Sequence, residues 1–216
     1  VNARIGDGEI DTGLHTTKPD APDLQTYQAQ MVASGTTHAV LEVTSQGLAQ
    51  QRVAGCDFDV AVITNITHEH LDYHGTFEAY RAAKARLFEG LALSFRKPGV
   101  PKTAVLNRDD GSYHHLSPIP ADRQLTYSVA GQADVTAGDV HVTPGGTRFV
   151  IRAPAGETAI ETGLLGNYNA SNVLAAARGA VGLDVPLGAG AGGIGAVKGR
   201  HGGMVGVVGG QGCVGG

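Results

Sequence analysis

Three histidines and two carboxylates crowd into one short stretch, His68-Glu69-His70-Leu71-Asp72-Tyr73-His74. It follows an apolar run, DVAVITNI, that reads as a strand. Imidazole and carboxylate are the usual donors to divalent cations. In open α/β sheets, ligands bind at the carboxyl ends of strands. A loop histidine is also an ordinary polar surface residue, so the cluster is a site only if the fold gathers it. The spacing is close to the metallo-hydrolase order H-x-H-x-D-H, but Tyr73 separates Asp72 from His74. A hydrolase built on His68, His70 and His74 stays open at this point.

Two further residues bear on the same chemistry. Glu42, near the end of HAVLEV, is either a solvated carboxylate or a hard oxygen ligand for Mg²⁺. Mg²⁺ needs few protein ligands beside phosphate and water. Lys84 falls inside a helical stripe of Phe77, Tyr80, Leu87, Phe88 and Leu91. A lysine there either snorkels to water or is held for chemistry. Burial near positive charge favours the neutral amine, which could take up CO₂ as a carbamate. A bare ammonium touching phosphate is the alternative, and the sequence leaves both open.

Donors for an anionic, oxygen-rich ligand come from Thr16 and Thr17 and from the segment holding Ser45, Gln50 and Arg52. The threonine pair is equally ordinary loop polarity. Asn169 and Asn172, three apart, can project from one side of a helix start. No G-x-x-x-x-G-K-[ST] phosphate loop occurs in the chain.

The elements that must position these residues are legible in outline. The first residues suggest a small hairpin or extended arm. Pro22 opens a helix with Leu24, Tyr27, Met31 and Val32 on one face and Gly35 as its stop. HAVLEV, LAQQRV and DVAVITNI read as strand, helix and strand of a parallel βαβ unit. On that reading Glu42 lies beside the histidine loop because their strands are neighbours. KTAVLN and QLTYSV predict further strands. DVHVTPGGTRFVIRAP alternates about a Pro-Gly-Gly turn, as an antiparallel hairpin at the sheet edge does. LLGNYNASNVLAAARGAVGL returns to helix, ended by Gly182.

Residues 1–185 are thus expected to form one domain. Residues 186–216, rich in glycine, read as a tail or the start of a linker. The fold class is α/β: a mostly parallel sheet flanked by helices, with an antiparallel edge hairpin.

Composition narrows the function. The 216 residues carry a formal net charge of −4, with 17% charged residues, 5% aromatic and no Trp. No long basic run favours nucleic acid, and no apolar run approaches membrane-spanning length. The two cysteines are far apart and suit a reducing compartment. A cytoplasmic monomer is expected.

EVTSQGLAQQRV, TNITHEHLDYHGTFEAYRAAKARLF, LNRDD and GNYNASNVLAAA together resemble the central domain of the Mur ligases, and HTTKPDAPDLQ resembles that family's substrate-binding strand and helix. The resemblance runs from about Ile10 to Leu183. It implies a P-loop-NTPase-like domain, here without its P-loop, in an ATP-dependent ligase. That ligase adds the third amino acid to UDP-N-acetylmuramoyl-dipeptide through an acyl phosphate. By the same resemblance Glu42, His70 and Lys84 would hold Mg²⁺, with Lys84 carbamylated and both Lys84 and His70 catalytic. Thr16, Thr17, Ser45, Gln50 and Arg52 would contact the UDP-MurNAc-peptide, and Asn169 and Asn172 would lie by the adenine of ATP. His15 and Gln46 depart from the family's usual Asn and His. Without a P-loop the stretch is expected to be inactive alone. A related ligase acting on another carboxylate, and a non-catalytic binding module of the same fold, are the other readings.

Overall fold

The computed structural model describes residues 2–5, 8–11, 20–67, 71–186 and 208–209. Its centre is a six-stranded sheet in the order β4-β5-β6-β7-β8-β9. The strands are β4 (Val60–Val62), β5 (Thr103–Asn107), β6 (Arg123–Ser128), β7 (Val135–Thr143), β8 (Gly146–Ala153) and β9 (Gly156–Thr162). The first four run parallel, and β7-β8 and β8-β9 pair antiparallel. The expected edge hairpin is therefore a three-stranded meander, with β9 added.

Alternation along the strands divides the core in two. Val60, Val105, Leu125 and Tyr127 face α6 (Asn167–Val181), which supplies Ala170, Val173, Leu174 and Ala177. Ala61, Ile63, Ala104 and Leu106 face the other way, toward Tyr80, Phe88 and Leu91 of α4 (Phe77–Leu93) and Leu116 of α5 (Tyr113–Leu116). Every residue of β5 is buried, as a strand covered on both faces requires.

The β6-β7 connection is unusually short for a parallel pair, which ordinarily needs a dozen or more residues. It suffices because only Tyr127 and Ser128 of β6 pair with β7. The return is clamped at both ends. Asp134 accepts from the Thr126 amide and hydroxyl at 2.7 and 2.9 Å, and its own amide donates back to Thr126 Oγ1. Ser128 Oγ and the Val129 amide both donate to Asp109.

Side-chain caps and a first-turn proline open the helices. Thr76 caps α4 by accepting from the Ala79 amide, and Thr44 caps α2 (Ser45–Ala49) by accepting from Gly47. In α1 (Ala21–Ala33) Pro22 sits in the first turn, and Gly35 follows the end at φ +76°. Val32 is 48% exposed, so it is not on the buried face assigned to it above. The arm forms a hairpin of β1 (Asn2–Ile5) and β2 (Gly8–Asp11).

The βαβ expectation fails at its first strand. Strand pairing is confined to His38–Ala39 (β3), which pair antiparallel with Val208–Gly209 (β10) outside the six-stranded sheet. Val40 is 48% exposed. A β-branched run becomes a buried strand only when a neighbour takes up its backbone hydrogen bonds, and among the described residues β3 pairs with β10 and not with β4. The helix after it also begins earlier than LAQQRV, at Ser45, and ends at Ala49.

Candidate active site

Of the candidate residues, Ser45 and Lys84 lie on the helices α2 and α4. Lys84 lies in the third turn of α4 and is 4% exposed. Snorkelling needs a side-chain tip in water, so that alternative is removed. The stripe around it is as the spacing predicts: Tyr80, Phe88 and Leu91 are buried, and Phe77 and Leu87 are half-buried.

Helix α2 packs against α4. Ser45, its first residue, is 2% exposed, with its hydroxyl 3.0 Å from His74 Nε2. His74 ends the single helical turn α3 (Leu71–His74), and its ring centroid lies 5.4 Å from that of Tyr80. Tyr80 is one turn before Lys84. Glu42 is half-buried three residues before Ser45. Gln50 is exposed, while Arg52 is half-buried and 3.7 Å from Asp20.

The loop that carries the histidines is held from below by the next two strands. Asn107 Nδ2 donates to the Thr64 carbonyl at 2.6 Å. The buried Tyr127 hydroxyl donates to the Ile63 carbonyl at 2.8 Å and lies 3.2 Å from that of Thr64. Asp110 accepts from the Ile66 amide at 3.3 Å and from the Ser112 amide at 2.9 Å. Burial is the largest cause pushing the Tyr127 phenol well above its ordinary value, and Asp110 and Asp109 push the same way.

These anchors were not assigned a role from sequence. The signal was present: LNRDD ends a strand in polar groups, and QLTYSV places a phenol inside one. Nothing local says which carbonyl that phenol reaches. His74 was likewise given no role apart from the hydrolase reading. Its Nε2 is engaged with Ser45, which competes with metal ligation through that atom.

Asn169 and Asn172 are half-buried at the start of α6. Asn169 Nδ2 donates to the Leu165 carbonyl at 2.8 Å. The helix start is fixed by the Gly166 amide donating to Thr147 Oγ1 of β8. The helix packs against β6, and Ser171 is near enough to the Tyr127 phenol to act on its titration. Thr16, Thr17, His68 and His70 lie outside the described residues. Among the described residues there is no cluster of three or more metal-ligating side chains.

The ground at the strand ends fits a polar ligand. Thr64 Oγ1 and Ser112 Oγ, after adjacent strands β4 and β5, are buried with no hydrogen-bond partner among the described residues. Orphaned buried hydroxyls ask for an explanation such as a missing ligand or water. The Glu42 carboxylate is a hard oxygen donor of the type Mg²⁺ takes.

A parallel sheet with buried hydroxyls beyond the ends of β4 and β5, and a lysine buried in the covering helix, define the class. The Mur ligase middle domain matches residues 4–180, and the chain belongs to the Mur ligase family. Among its relatives, the UDP-N-acetylmuramoyl-L-alanyl-D-glutamate–2,6-diaminopimelate ligase of Geobacillus thermodenitrificans is 44% identical over 176 residues, 82% of this chain and 35% of the relative. The UDP-N-acetylmuramyl-tripeptide synthetase of Roseiflexus is 42% identical over 197 residues, 87% of this chain and 38% of the relative. A solved structure of a UDP-N-acetylmuramoyl-L-alanyl-D-glutamate–2,6-diaminopimelate ligase superposes with a TM-score of 0.75 at 36% identity, covering 86% of this chain and 38% of that one. The Thermotoga maritima MurF structure, TM-score 0.52 at 19% identity over 66% of this chain and 31% of that one, shares the fold. The chain thus spans little more than a third of the length of the relatives it matches. Among the described residues no helix is long and apolar enough to cross a membrane.

Proposed function

We propose that the chain is the central domain of an ATP-dependent ligase that adds the third amino acid to UDP-N-acetylmuramoyl-dipeptide in peptidoglycan synthesis. The observation that carries this reading is Lys84, 4% exposed inside an apolar stripe and beside the helix that follows Glu42. Burial favours the neutral amine, the form that takes up CO₂, and a carbamate on this stem would offer Mg²⁺ a carboxylate oxygen.

In this reading Glu42, His70 and Lys84 hold Mg²⁺. The ion, when bound, would offset charge on a phosphoryl group moving from ATP to the substrate carboxylate. The chain's own contribution is positioning. α4 fixes the Lys84 stem by packing, Asn107, Tyr127 and Asp110 fix the backbone that leads to His70, and α6 presents Asn169 and Asn172 to the adenine. Thr16, Thr17, Ser45, Gln50 and Arg52 bind the UDP-MurNAc-peptide. We read residues 1–185 as one domain and 186–216 as a glycine-rich tail or the start of a linker, in a cytoplasmic monomer.

Lys84→Ala in the full-length protein that carries this chain tests the reading. With UDP-MurNAc-L-Ala-D-Glu, ATP and 2,6-diaminopimelate, kcat is expected to fall by about 100-fold or more, as when a preorganised charge-stabilising group is lost. A variant with near-wild-type kcat, indifferent to added bicarbonate, overturns the role given to Lys84. L-Lysine in place of diaminopimelate reports which amino acid is added.

A further inference from the structure

Ser45 and His74 are 29 residues apart in sequence and 3.0 Å apart in the fold. One imidazole there joins three elements. It closes α3, holds the first residue of α2 and packs on Tyr80 of α4, one turn before Lys84. The neighbouring Thr44 hydroxyl accepts from the Gly47 amide as the α2 cap. At 2% exposure, the Ser45 rotamer is set by its protein neighbours and not by solvent.

We propose that His74 is a positioning residue that aims the Ser45 hydroxyl at an oxygen of the nucleotide-peptide substrate. The inference rests on the ligase reading, in which Ser45 contacts that substrate. A serine hydroxyl has one proton and two lone pairs. When His74 Nε2–H donates into one lone pair, the hydroxyl proton is directed to another acceptor. When Nε2 is unprotonated, the hydroxyl donates to the ring and can only accept from a ligand. A substrate rich in phosphate and carboxylate oxygens selects the first arrangement. His74 is therefore the Nε2–H tautomer, and Ser45 is a donor to the ligand. Since His74 also spans α2 and α4, the same contact keeps the substrate-binding segment in register with the helix that carries Lys84.

The test is a double-mutant cycle in the full-length protein, reading both the Kd for UDP-MurNAc-L-Ala-D-Glu by calorimetry and the steady-state KM values. His74→Phe is expected to weaken nucleotide-peptide binding about tenfold, the scale of one hydrogen bond to a charged group, and to leave the KM for ATP within about twofold. His74→Gln, whose amide nitrogen can stand near the position of Nε2, is expected to recover most of that loss. In a Ser45→Ala background His74→Phe is expected to add less than about twofold, because coupled residues are non-additive. Independent, multiplying losses overturn the proposal, as does an equal rise in the KM for ATP or a glutamine variant no better than phenylalanine. Should phenylalanine fail to fold, as circular dichroism would reveal, His74→Leu, which also lacks a hydrogen-bonding group, takes its place in the cycle with the same expected and overturning results. A wild-type protein that binds the nucleotide-peptide but ligates no amino acid overturns the ligase reading, and the binding cycle then decides the Ser45–His74 coupling separately.

Discussion

The Tyr127 hydroxyl, on β6, reaches over β5 and donates at 2.8 Å to the carbonyl of Ile63, just past the end of β4. It thereby ties the third strand of the parallel set to the backbone that leads into the histidine loop. Tyr127→Phe keeps the packing and removes this tie, leaving buried carbonyls short of a donor. Near neutral pH it is expected to cost about 1–3 kcal/mol, measured by urea unfolding.

The same substitution has a pH signature. Burial raises the Tyr127 phenol above its ordinary value of 10.0, so the unfolded chain releases this proton first. The stabilisation is fully present below pH 10 and is lost as pH rises beyond it, by about 1.4 kcal/mol per pH unit. The stability gap between wild type and Tyr127→Phe should hold from pH 8 to 10 and shrink by pH 11. A gap that stays constant to pH 11 contradicts the assignment.

At the opposite end of the strands, Asp59 is buried between two lysines. Lys97 Nζ lies 2.5 Å from one carboxylate oxygen and Lys102 Nζ 3.1 Å from the other. Lys102 also donates to the Phe58 carbonyl. Asp59→Ala strands two buried ammonium groups and is expected to cost about 3–5 kcal/mol. Lys102→Met leaves a neutral Lys97–Asp59 pair and should cost less than half as much. Thermal or chemical denaturation of both variants checks the order, and equal losses would show that the charge balance is not what matters.

Gly146 begins β8 at φ +148°, and a Cβ there would stand 2.1 Å from the Thr162 carbonyl oxygen. Gly146→Ala therefore forces β8 and β9 apart, beside the Thr147 hydroxyl that fixes the start of α6. A loss of about 2 kcal/mol or more is expected, combining backbone strain with overpacking. Gly156, at φ +129° with nothing within 4 Å of the same probe position, carries only the strain. Gly156→Ala should cost about 1–2 kcal/mol, and the reverse order would refute the steric argument.

Much of the architecture was legible because its signals are local. The α4 stripe, the buried β5 and the Pro-Gly-Gly turn depend on residues a few positions apart. Lys84 stood out for the same reason, as a cation inside an apolar period. HAVLEV misled because its composition is that of a buried strand, while pairing is a property of the neighbour and β4 offers β3 none. Glu42 was expected beside the histidine loop through adjacent strands, whereas β3 pairs with β10 and it is α2, three residues on, that packs on α4.

The sequence by itself determined the family, the helix and strand types, and the residue kinds capable of the chemistry. Periodicity, caps and motif order are read within a single turn or strand. Tertiary structure alone decided which distant groups meet: Tyr127 with Ile63, Asn107 with Thr64, Asp59 with two lysines, and Ser45 with His74. Such pairings are separated by tens of residues, and their hydrogen bonds form only when sheet order and helix packing bring donor and acceptor within about 3 Å.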